Sequence, residues 1–366
     1  MRLGHLQDPR WPAPEDALAD ARRVLGTWRE RRVLVVPAPD TDGLAAGVLA
    51  VRALETMGAR GAVRLPGKGE HAHSPSFVER VRDWRPEALV LLGWDLQTDS
   101  LVPGVPTLVV ERHTRAAPRT DDTHVLCPGP GGDDASAVST SLLTYALAAP
   151  LVVPGPLEWL ATVGTVAALG MEARVPFLKD ALRRAHRKSV TETVALVNAA
   201  ARASLFPVAR AQEVLLRARS ARDIAQGAIP GVDALRDCRL EVRREAERCA
   251  RTPPRLSSHA ALLLFSSEAR VHPLVARRWE SRLPDHVILA ANAGYLPGRV
   301  DFTVRGPSSP DVVALLDTYG AAPRAEGPPP VVGGSLSPSD FLRLTEVLGF
   351  RGLRLDDLER RGAFPG

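Results

Sequence analysis

Two carboxylates lie close together near the start of the chain. Asp40 and Asp42 are two positions apart in the segment PAPDTDGLAAG, directly after the apolar run VLVVP and before an apolar helical pattern. Carboxylates at this spacing in a loop can point into one cleft, and Gly43 lets the chain turn tightly beside them. Their oxygens are suitable ligands for Mg²⁺ or Mn²⁺. The other interpretation, equally compatible with this segment alone, is that both aspartates cap the following helix.

Two further apolar runs also end in polar, ionisable side chains. The run LVLLGWD ends in Asp95, and the run LVVERHT carries Glu111, Arg112 and His113 directly after its apolar residues. Each of these residues taken singly could be an ordinary loop residue. If the runs are parallel strands of one sheet, their carboxyl ends meet at one edge, which is where open α/β sheets bind ligands. Together, these strand ends predict a metal site in one crevice.

The elements that must position these residues follow an alternating pattern. Strands are predicted at 33–37, 62–66, 88–93 and 107–111, and helices at 44–58, 74–84, 136–150 and 157–170. Strands separated by helices predict a parallel sheet with helices on both faces. A polar, arginine-rich helical stretch and a second α/β pattern follow, with further strands at 261–267, 286–292 and 299–306. The predicted domains are 1–185, a helical connector at 186–255, a smaller α/β domain at 256–350 and a C-terminal tail at 351–366.

Composition narrows the class of protein further. The 366 residues are 45% hydrophobic and 24% charged, which excludes a wholly disordered or fibrous chain. A formal net charge of +5 permits an anionic partner without requiring one. The three cysteines, Cys127, Cys238 and Cys249, form no C-x-x-C pair, so we expect neither a disulfide framework nor a thiolate zinc site. The N-terminal residues have no signal-peptide core and the longest apolar stretch contains prolines, so we expect a cytoplasmic protein without a membrane partner.

In their order along the chain, these segments resemble the DHH phosphoesterase superfamily, and its RecJ-like branch in particular. The resemblance extends to WLATVGTVAALGMEAR, and ALLLFSS, VILAAN, GRVDFTVRG and PPPVVGGSLSPSDF resemble the DHH-associated C-terminal domain. It covers about residues 31–350. It implies a parallel-sheet DHH domain joined by a helical connector to a smaller α/β DHH-associated domain. In this superfamily two Mn²⁺ ions activate a water that attacks a phosphodiester.

Several positions depart from the family pattern. Residues that replace family ligands or a phosphate contact are Ala38, Arg112, Ala168 and Pro328. A fixed cation at Arg112 would repel a second metal ion, since two unit charges 4 Å apart interact by about 4 kcal/mol at an effective dielectric constant of 20. Arg112 could instead pair with Asp42 or Asp95 and replace a metal. We therefore expect at most one Mn or Mg ion at this site, or none.

The resemblance assigns a role to each candidate residue. Asp40, Asp42 and Asp95 would be metal ligands, and His113 would be the catalytic residue near the phosphate. Arg112 and Arg305 would contact the substrate, Arg305 because the segment FTVRG retains it where the family has a substrate-facing residue.

Three functions remain open. The first is a metal-dependent phosphodiesterase, resembling an exonuclease, that acts on single-stranded nucleic acid, short oligonucleotides or a phosphorylated nucleotide. The second is a catalytically inactive relative that binds nucleic acid or serves as a protein scaffold; the superfamily has such a member in the eukaryotic replicative helicase assembly. The third is a nucleotide sensor that binds its ligand without hydrolysing it.

Two other basic segments could contact phosphate. His71 and His73 lie in GKGEHAHSP, where an ordinary polar loop is the favoured interpretation. The segment ALRRAHRK, at 181–188, could contribute to a nucleic-acid track. Acidic residues are interspersed with the basic ones in the arginine-rich helices, which slightly favours a solvated surface.

Overall fold

A computed structural model describes residues 12–94, 101–112, 122–128, 138–151, 157–306, 323–324 and 331–359. The chain forms two compact units. Unit 1 comprises Met1–Ala201 and Pro207–Arg236, and unit 2 comprises Arg202–Phe206 and Asp237–Gly366. The domain boundaries predicted from the sequence, after residues 185, 255 and 350, stay predictions.

Unit 1 is built on a five-stranded parallel sheet with the order β2-β1-β3-β4-β5. The strands are β1 (Arg32–Pro37), β2 (Arg60–Val63), β3 (Ala88–Leu92), β4 (Thr107–Val110) and β5 (Thr123–Leu126). Every residue of β3 and β4, and all of β1 except its first, is buried. Continuous burial of this kind is typical of strands covered on both faces. The predicted parallel sheet is confirmed.

The described helices of unit 1 pack on this sheet or on one another. They are α1 (Glu15–Gly26), α2 (Thr41–Thr56), α3 (Pro75–Asp83), α4 (Thr140–Ala148), α5 (Glu158–Leu169), α6 (Leu178–Ala185), α7 (Arg187–Ala200), α8 (Val208–Arg217) and α9 (Ala221–Ala225). The next helix, α10 (Val232–Cys249), begins in unit 1 and ends in unit 2. Helices α2, α4 and α5 are buried on nearly all sides because they pack on one another as well as on the sheet or on other helices.

Unit 2 contains a six-stranded sheet with the order β10-β11-β9-β8-β7-β6. Its strands are β6 (Arg255–Leu256), β7 (Ala260–Phe265), β8 (Val287–Asn292), β9 (Val300–Arg305), β10 (Pro323–Arg324) and β11 (Val331–Leu336). Only the pair β7–β8 is parallel among the described pairings. The helices are α11 (His272–Glu280), α12 (Pro338–Val347) and α13 (Leu355–Glu359). Leu358 of α13 is buried in the core of this unit.

Four strands are absent from the sequence-based prediction: β5, β6, β10 and β11. The sequences THVL and VVGGSL contain polar residues or glycine, which weaken the apolar pattern of a strand. Within the described ranges, no helix has both the length and the hydrophobicity needed to cross a bilayer.

Candidate functional site

The loop after β1 begins the candidate site. Asp40 is exposed and caps α2, because its Oδ1 accepts a hydrogen bond from the backbone N–H of Gly43 at 2.8 Å. A side chain at Gly43 would clash with the carbonyl oxygen of Ala38, so the turn requires glycine. The second carboxylate oxygen of Asp40 has no hydrogen-bond partner among the described residues. Asp40 is therefore both a helix cap and an exposed anionic group.

Asp42 has a different environment. Its side chain is 7% exposed, and its two oxygens accept hydrogen bonds from the backbone N–H groups of Thr140 at 2.8 Å and Ser141 at 2.9 Å. These N–H groups belong to the first turn of α4, so the carboxylate occupies the positive end of that helix. Burial, and then the charge of Asp40, raise the pKa of Asp42 to about 6, although the hydrogen bonds from α4 oppose the shift.

A buried hydroxyl network continues from α4 into α5. The Oγ of Ser139 accepts the backbone N–H of Leu142 at 3.1 Å and lies 2.9 Å from the Oγ1 of Thr165. A Cβ on Gly164 would clash with the side chain of Ser141 and lie 2.8 Å from Oδ1 of Asp42. Helix α5 therefore approaches the Asp42 carboxylate closely. This carboxylate is bound by α4 and packed against α5.

Two amide side chains border the same region and were not predicted from the sequence. Thr41 donates its hydroxyl to Oδ1 of Asn198 at 2.8 Å, which joins the first turn of α2 to α7. Gln212 of α8 is 3% exposed, and neither its amide oxygen nor its amide nitrogen has a hydrogen-bond partner among the described residues. A Cβ on Gly47 would lie 3.1 Å from Nε2 of Gln212, so this amide packs against α2. No local motif marks either amide.

The ends of β3 and β4 reach the same edge of the sheet as the end of β1. Trp94 follows β3, is buried, and donates its indole N–H to the carbonyl of Val36 at 2.9 Å. Glu111 follows β4, is 3% exposed, and accepts the backbone N–H of Arg112 on Oε1 at 2.8 Å. Burial, and then the charge of Glu111, raise the pKa of the Cys127 thiol at the end of β5, which keeps that thiol protonated. The predicted site residues Asp95 and His113 lie outside the described residues.

The two predicted substrate-binding arginines belong to different units. Arg112 is half-buried in unit 1 and forms no ion pair with Asp42 or with any other residue in the described part of the chain. Arg305, at the end of β9 in unit 2, donates its Nε–H to Oε2 of Glu280 at 2.8 Å. This pair is mostly buried, with side-chain exposures of 19% and 23%. Arg305 is therefore oriented by a partner within its own unit.

The other basic segments are held by internal contacts. His71 accepts the backbone N–H of His73 on Nδ1 at 3.3 Å and packs edge-on against Trp94, with ring centroids 4.7 Å apart. The same loop is held by Glu70, whose pKa is lowered to about 2 chiefly by the hydrogen bond from Arg80. In the segment 181–188, three arginines form ion pairs with acidic neighbours: Arg183 with Asp180, Arg184 with Glu158 and Arg187 with Glu172.

These contacts test whether the described residues suit a metal ion. Within the described ranges, no group of three or more His, Cys, Asp or Glu side chains is arranged to hold one. Both oxygens of Asp42 already accept backbone N–H groups, and Ala38 offers no ligand atom. Among the predicted metal ligands that the structure describes, Asp40 is the one with an exposed carboxylate oxygen. The described residues therefore do not fit a two-metal centre.

Solved structures with a similar fold include two RecJ structures and a DHH domain. A RecJ exonuclease bound to manganese is 20% identical, with a TM-score of 0.64 over 95% of this chain and 97% of that one. RecJ from Thermus thermophilus in complex with Mn²⁺ is 20% identical, with a TM-score of 0.67 over 98% of this chain and 57% of that longer one. The DHH domain of a member of a family of ribosomal proteins is 14% identical, with a TM-score of 0.63 over 92% of this chain and 90% of that one.

Comparison with protein-family models and with curated proteins finds no match. The structural similarity establishes that this chain has the fold of RecJ and DHH-domain proteins, which confirms the resemblance seen in the sequence. At these identities the similarity defines the fold and leaves the activity open.

Proposed function

We propose that this protein binds single-stranded nucleic acid or short oligonucleotides at the carboxyl edge of the unit 1 sheet, and that it does not hydrolyse them. One observation carries this proposal: the carboxylate of Asp42 is committed to the N-terminus of α4. Asp42 is then an anchor for the loop, and of the two aspartates in this loop only Asp40 has an exposed carboxylate. If a Mn or Mg ion binds, we propose that Asp40 and Asp95 hold a single one.

The binding half of the proposal rests on charge and fold. The similar RecJ structure is that of an exonuclease, and this chain carries a net positive charge. A guanidinium group donates two parallel N–H groups to a phosphate, so an arginine without an internal ion pair suits a phosphodiester. In unit 1, Arg112 forms no ion pair with any described residue, and we propose that it contacts a phosphate. In unit 2, Nε of Arg305 is bound to Glu280, and we propose that its terminal N–H groups contact a phosphate.

The test measures binding and cleavage on one purified sample. Fluorescence anisotropy with a labelled single-stranded oligonucleotide is followed in EDTA and in Mn²⁺, and the same mixtures are examined for cleavage products. We expect binding in EDTA and no product in either mixture. Cleavage that requires Mn²⁺ and is abolished by Asp40→Asn would establish a hydrolase and refute the second half of the proposal. Absence of binding under both conditions would refute the first half.

A matched pair of variants locates the binding site. Arg112→Gln should weaken binding and lower the slope of log affinity against log salt by about 0.7, the value for one phosphate contact of a single strand. Arg183→Gln removes the same charge from an exposed arginine that is paired with Asp180, and should leave affinity and slope unchanged. Equal effects of the two variants would place the nucleic acid elsewhere.

A further inference from the structure

The amino edge of the unit 1 sheet, opposite the candidate site, carries a group of arginines. Three neighbouring strands, β2, β1 and β3, start at this edge, and each has an arginine at its first position or within the three residues before it. We call this group the amino-edge surface; it consists of Arg29, Arg31, Arg32, Arg60 and Arg85. All five are exposed except Arg31, which is half-buried.

Strand register brings these residues together. The Cα atoms of Arg32 and Arg60 are partners in the β1–β2 pairing, and neighbouring strands lie about 4.8 Å apart. The backbone N–H of Arg60 donates to the carbonyl of Arg31 at 2.9 Å. The side chain of Arg29 lies beside Gly58, because a Cβ built on that glycine would be 3.7 Å from Cγ of Arg29. The positive charges of two consecutive loops are therefore concentrated on one edge.

Two of the loops at this edge have an unusual backbone conformation. Glu30 has φ 65° and Arg85 has φ 53°, in the left-handed region that non-glycine residues seldom adopt. The backbone N–H of Glu30 donates to the carbonyl of Gly58 at 3.0 Å, and that of Arg85 donates to the carbonyl of Arg82 at 2.9 Å. The surrounding structure holds these conformations, which fixes the positions from which the arginine side chains extend.

The charges of this surface are only partly neutralised within the protein. Oε2 of Glu87 accepts the backbone N–H of Arg32 at 2.8 Å and its Nε–H at 3.4 Å. The pKa of Glu87 is lowered, first by the backbone hydrogen bond from Arg32 and also by the charges of Arg32 and Arg31. Within the described part of the chain, Arg29, Arg60 and Arg85 form no ion pair. Glu30 and Asp83 are acidic residues of the same loops and likewise pair with no described residue.

Elsewhere in unit 1, several exposed arginines on helices have acidic partners three positions away. Examples are Arg183 with Asp180, Arg210 with Glu213, and Arg236 with Asp233. The amino-edge surface departs from this arrangement, because Arg29, Arg60 and Arg85 form no ion pair with any described residue. An external polyanion would supply the missing negative charge.

We infer that the amino-edge surface is a second contact surface for the phosphate backbone of a single strand, separate from the carboxyl-edge site. The inference extends the proposed nucleic-acid binding and rests on it. Arginine donates paired N–H groups to phosphate, and such contacts are independent of base sequence. A protein interface would need an apolar or aromatic centre. Among the described residues of unit 1, no large hydrophobic residue is exposed; the exposed ones, Leu205, Leu240, Leu256, Val347 and Leu355, belong to unit 2.

The dimensions of the sheet set the length of strand required. The six residues of β1 separate the two edges by about 20 Å at about 3.3 Å per residue. At the rise that a strand has in a duplex, about 3.4 Å per nucleotide, about six nucleotides cover that distance. An oligonucleotide of thirty nucleotides is therefore long enough to engage both edges at once.

The test uses the full chain and a triple variant, Arg29→Gln/Arg60→Gln/Arg85→Gln. The matched control is Arg183→Gln/Arg210→Gln/Arg236→Gln, which removes the same charge from ion-paired positions. Binding of labelled oligothymidylates of six and thirty nucleotides is measured by anisotropy over a range of salt. For the longer strand, we expect the triple variant to bind roughly tenfold more weakly at low salt and to lose about 2 from the salt slope, at 0.7 per contact. The control and the wild type should coincide.

A charge-retaining variant separates charge from folding. Arg29→Lys/Arg60→Lys/Arg85→Lys should keep the salt slope of the wild type, because each lysine still neutralises one phosphate. If the wild type binds the longer strand and the glutamine variant binds it equally well, the second surface is refuted while the proposed function stands. If the glutamine variant loses only binding of poly-L-glutamate, the surface recognises an acidic polypeptide and the inference is wrong. If the wild type binds no oligonucleotide, the proposed function itself fails.

Discussion

Replacement of Asp42 by asparagine isolates the cost of burying a carboxylate against the N-terminus of α4. In the folded protein the pKa of this group rises from 3.8 to about 6, mainly through burial and then through the charge of Asp40. Between these two pH values the folded protein retains a proton that the unfolded chain has released. The free energy of unfolding should therefore fall as the pH rises from about 4 to about 6, and then stay at the lower level.

The magnitude follows from the shift. At 1.36 kcal/mol per pKa unit, this titration removes about 3 kcal/mol of stability by pH 7. Asparagine resembles the protonated carboxyl, since it has one carbonyl acceptor and no charge. Asp42→Asn should thus match the wild type at pH 4 to within about 1 kcal/mol, the net value of one hydrogen bond. At pH 8 it should be the more stable protein by about 3 kcal/mol.

Denaturant unfolding of both proteins between pH 4 and pH 8 measures this difference. Asp83→Asn, at the exposed end of α3, is the control for a general change in net charge. If the free energies of unfolding of Asp42→Asn and the wild type differ by the same amount at every pH, burial does not govern the titration of Asp42. If the variant is less stable at pH 8, the two hydrogen bonds from α4 outweigh the cost of burying the charge, and the reasoning is wrong.

Three further outcomes are expected. Gly164→Ala should lower the free energy of unfolding by about 2–3 kcal/mol, because a Cβ there overlaps the side chain of Ser141. Gly26→Ala is the control, since the space around Gly26 is open. If both variants are as stable as the wild type, α5 does not approach α4 as closely as the structure indicates. Glu280→Ala and Arg305→Ala should show a coupling of about 1 kcal/mol or more in a double-mutant cycle of unfolding, whereas additive effects would mean that the pair is energetically independent. EDTA should leave the melting temperature unchanged, and a drop would reveal a structural metal.

Much of the fold can be predicted from short-range patterns. The apolar runs of β1, β3 and β4 and the alternation with helices indicate a buried parallel sheet, because each strand must hide both faces. The strand β5 cannot be predicted from an apolar run, because three of its four side chains are only half-buried and its sequence, THVL, contains polar residues. The strand β11 cannot be predicted in this way either, because VVGGSL has two glycines. Its place in the sheet comes from pairing with β9.

Only part of the candidate site can be predicted from the sequence. The capping interpretation of Asp40 is contained in the local sequence, since its acceptor contacts an N–H group three residues away. The partners of Asp42 lie in α4, 98 and 99 residues away, and no local pattern predicts them. Nor does any local pattern reveal that Glu280, 25 residues away, orients Arg305.

By itself, therefore, the sequence determined the class of fold and the edge of the sheet where ionisable residues follow the strands. Both depend on the spacing of apolar residues, which is a local property of the chain. Only the tertiary structure decided that the Asp40 carboxylate is exposed and that the Asp42 carboxylate is buried and hydrogen-bonded to α4. The reason is physical: the charge and hydrogen bonding of a side chain depend on the groups that packing brings within about 3 Å of it, and those groups come from distant parts of the chain.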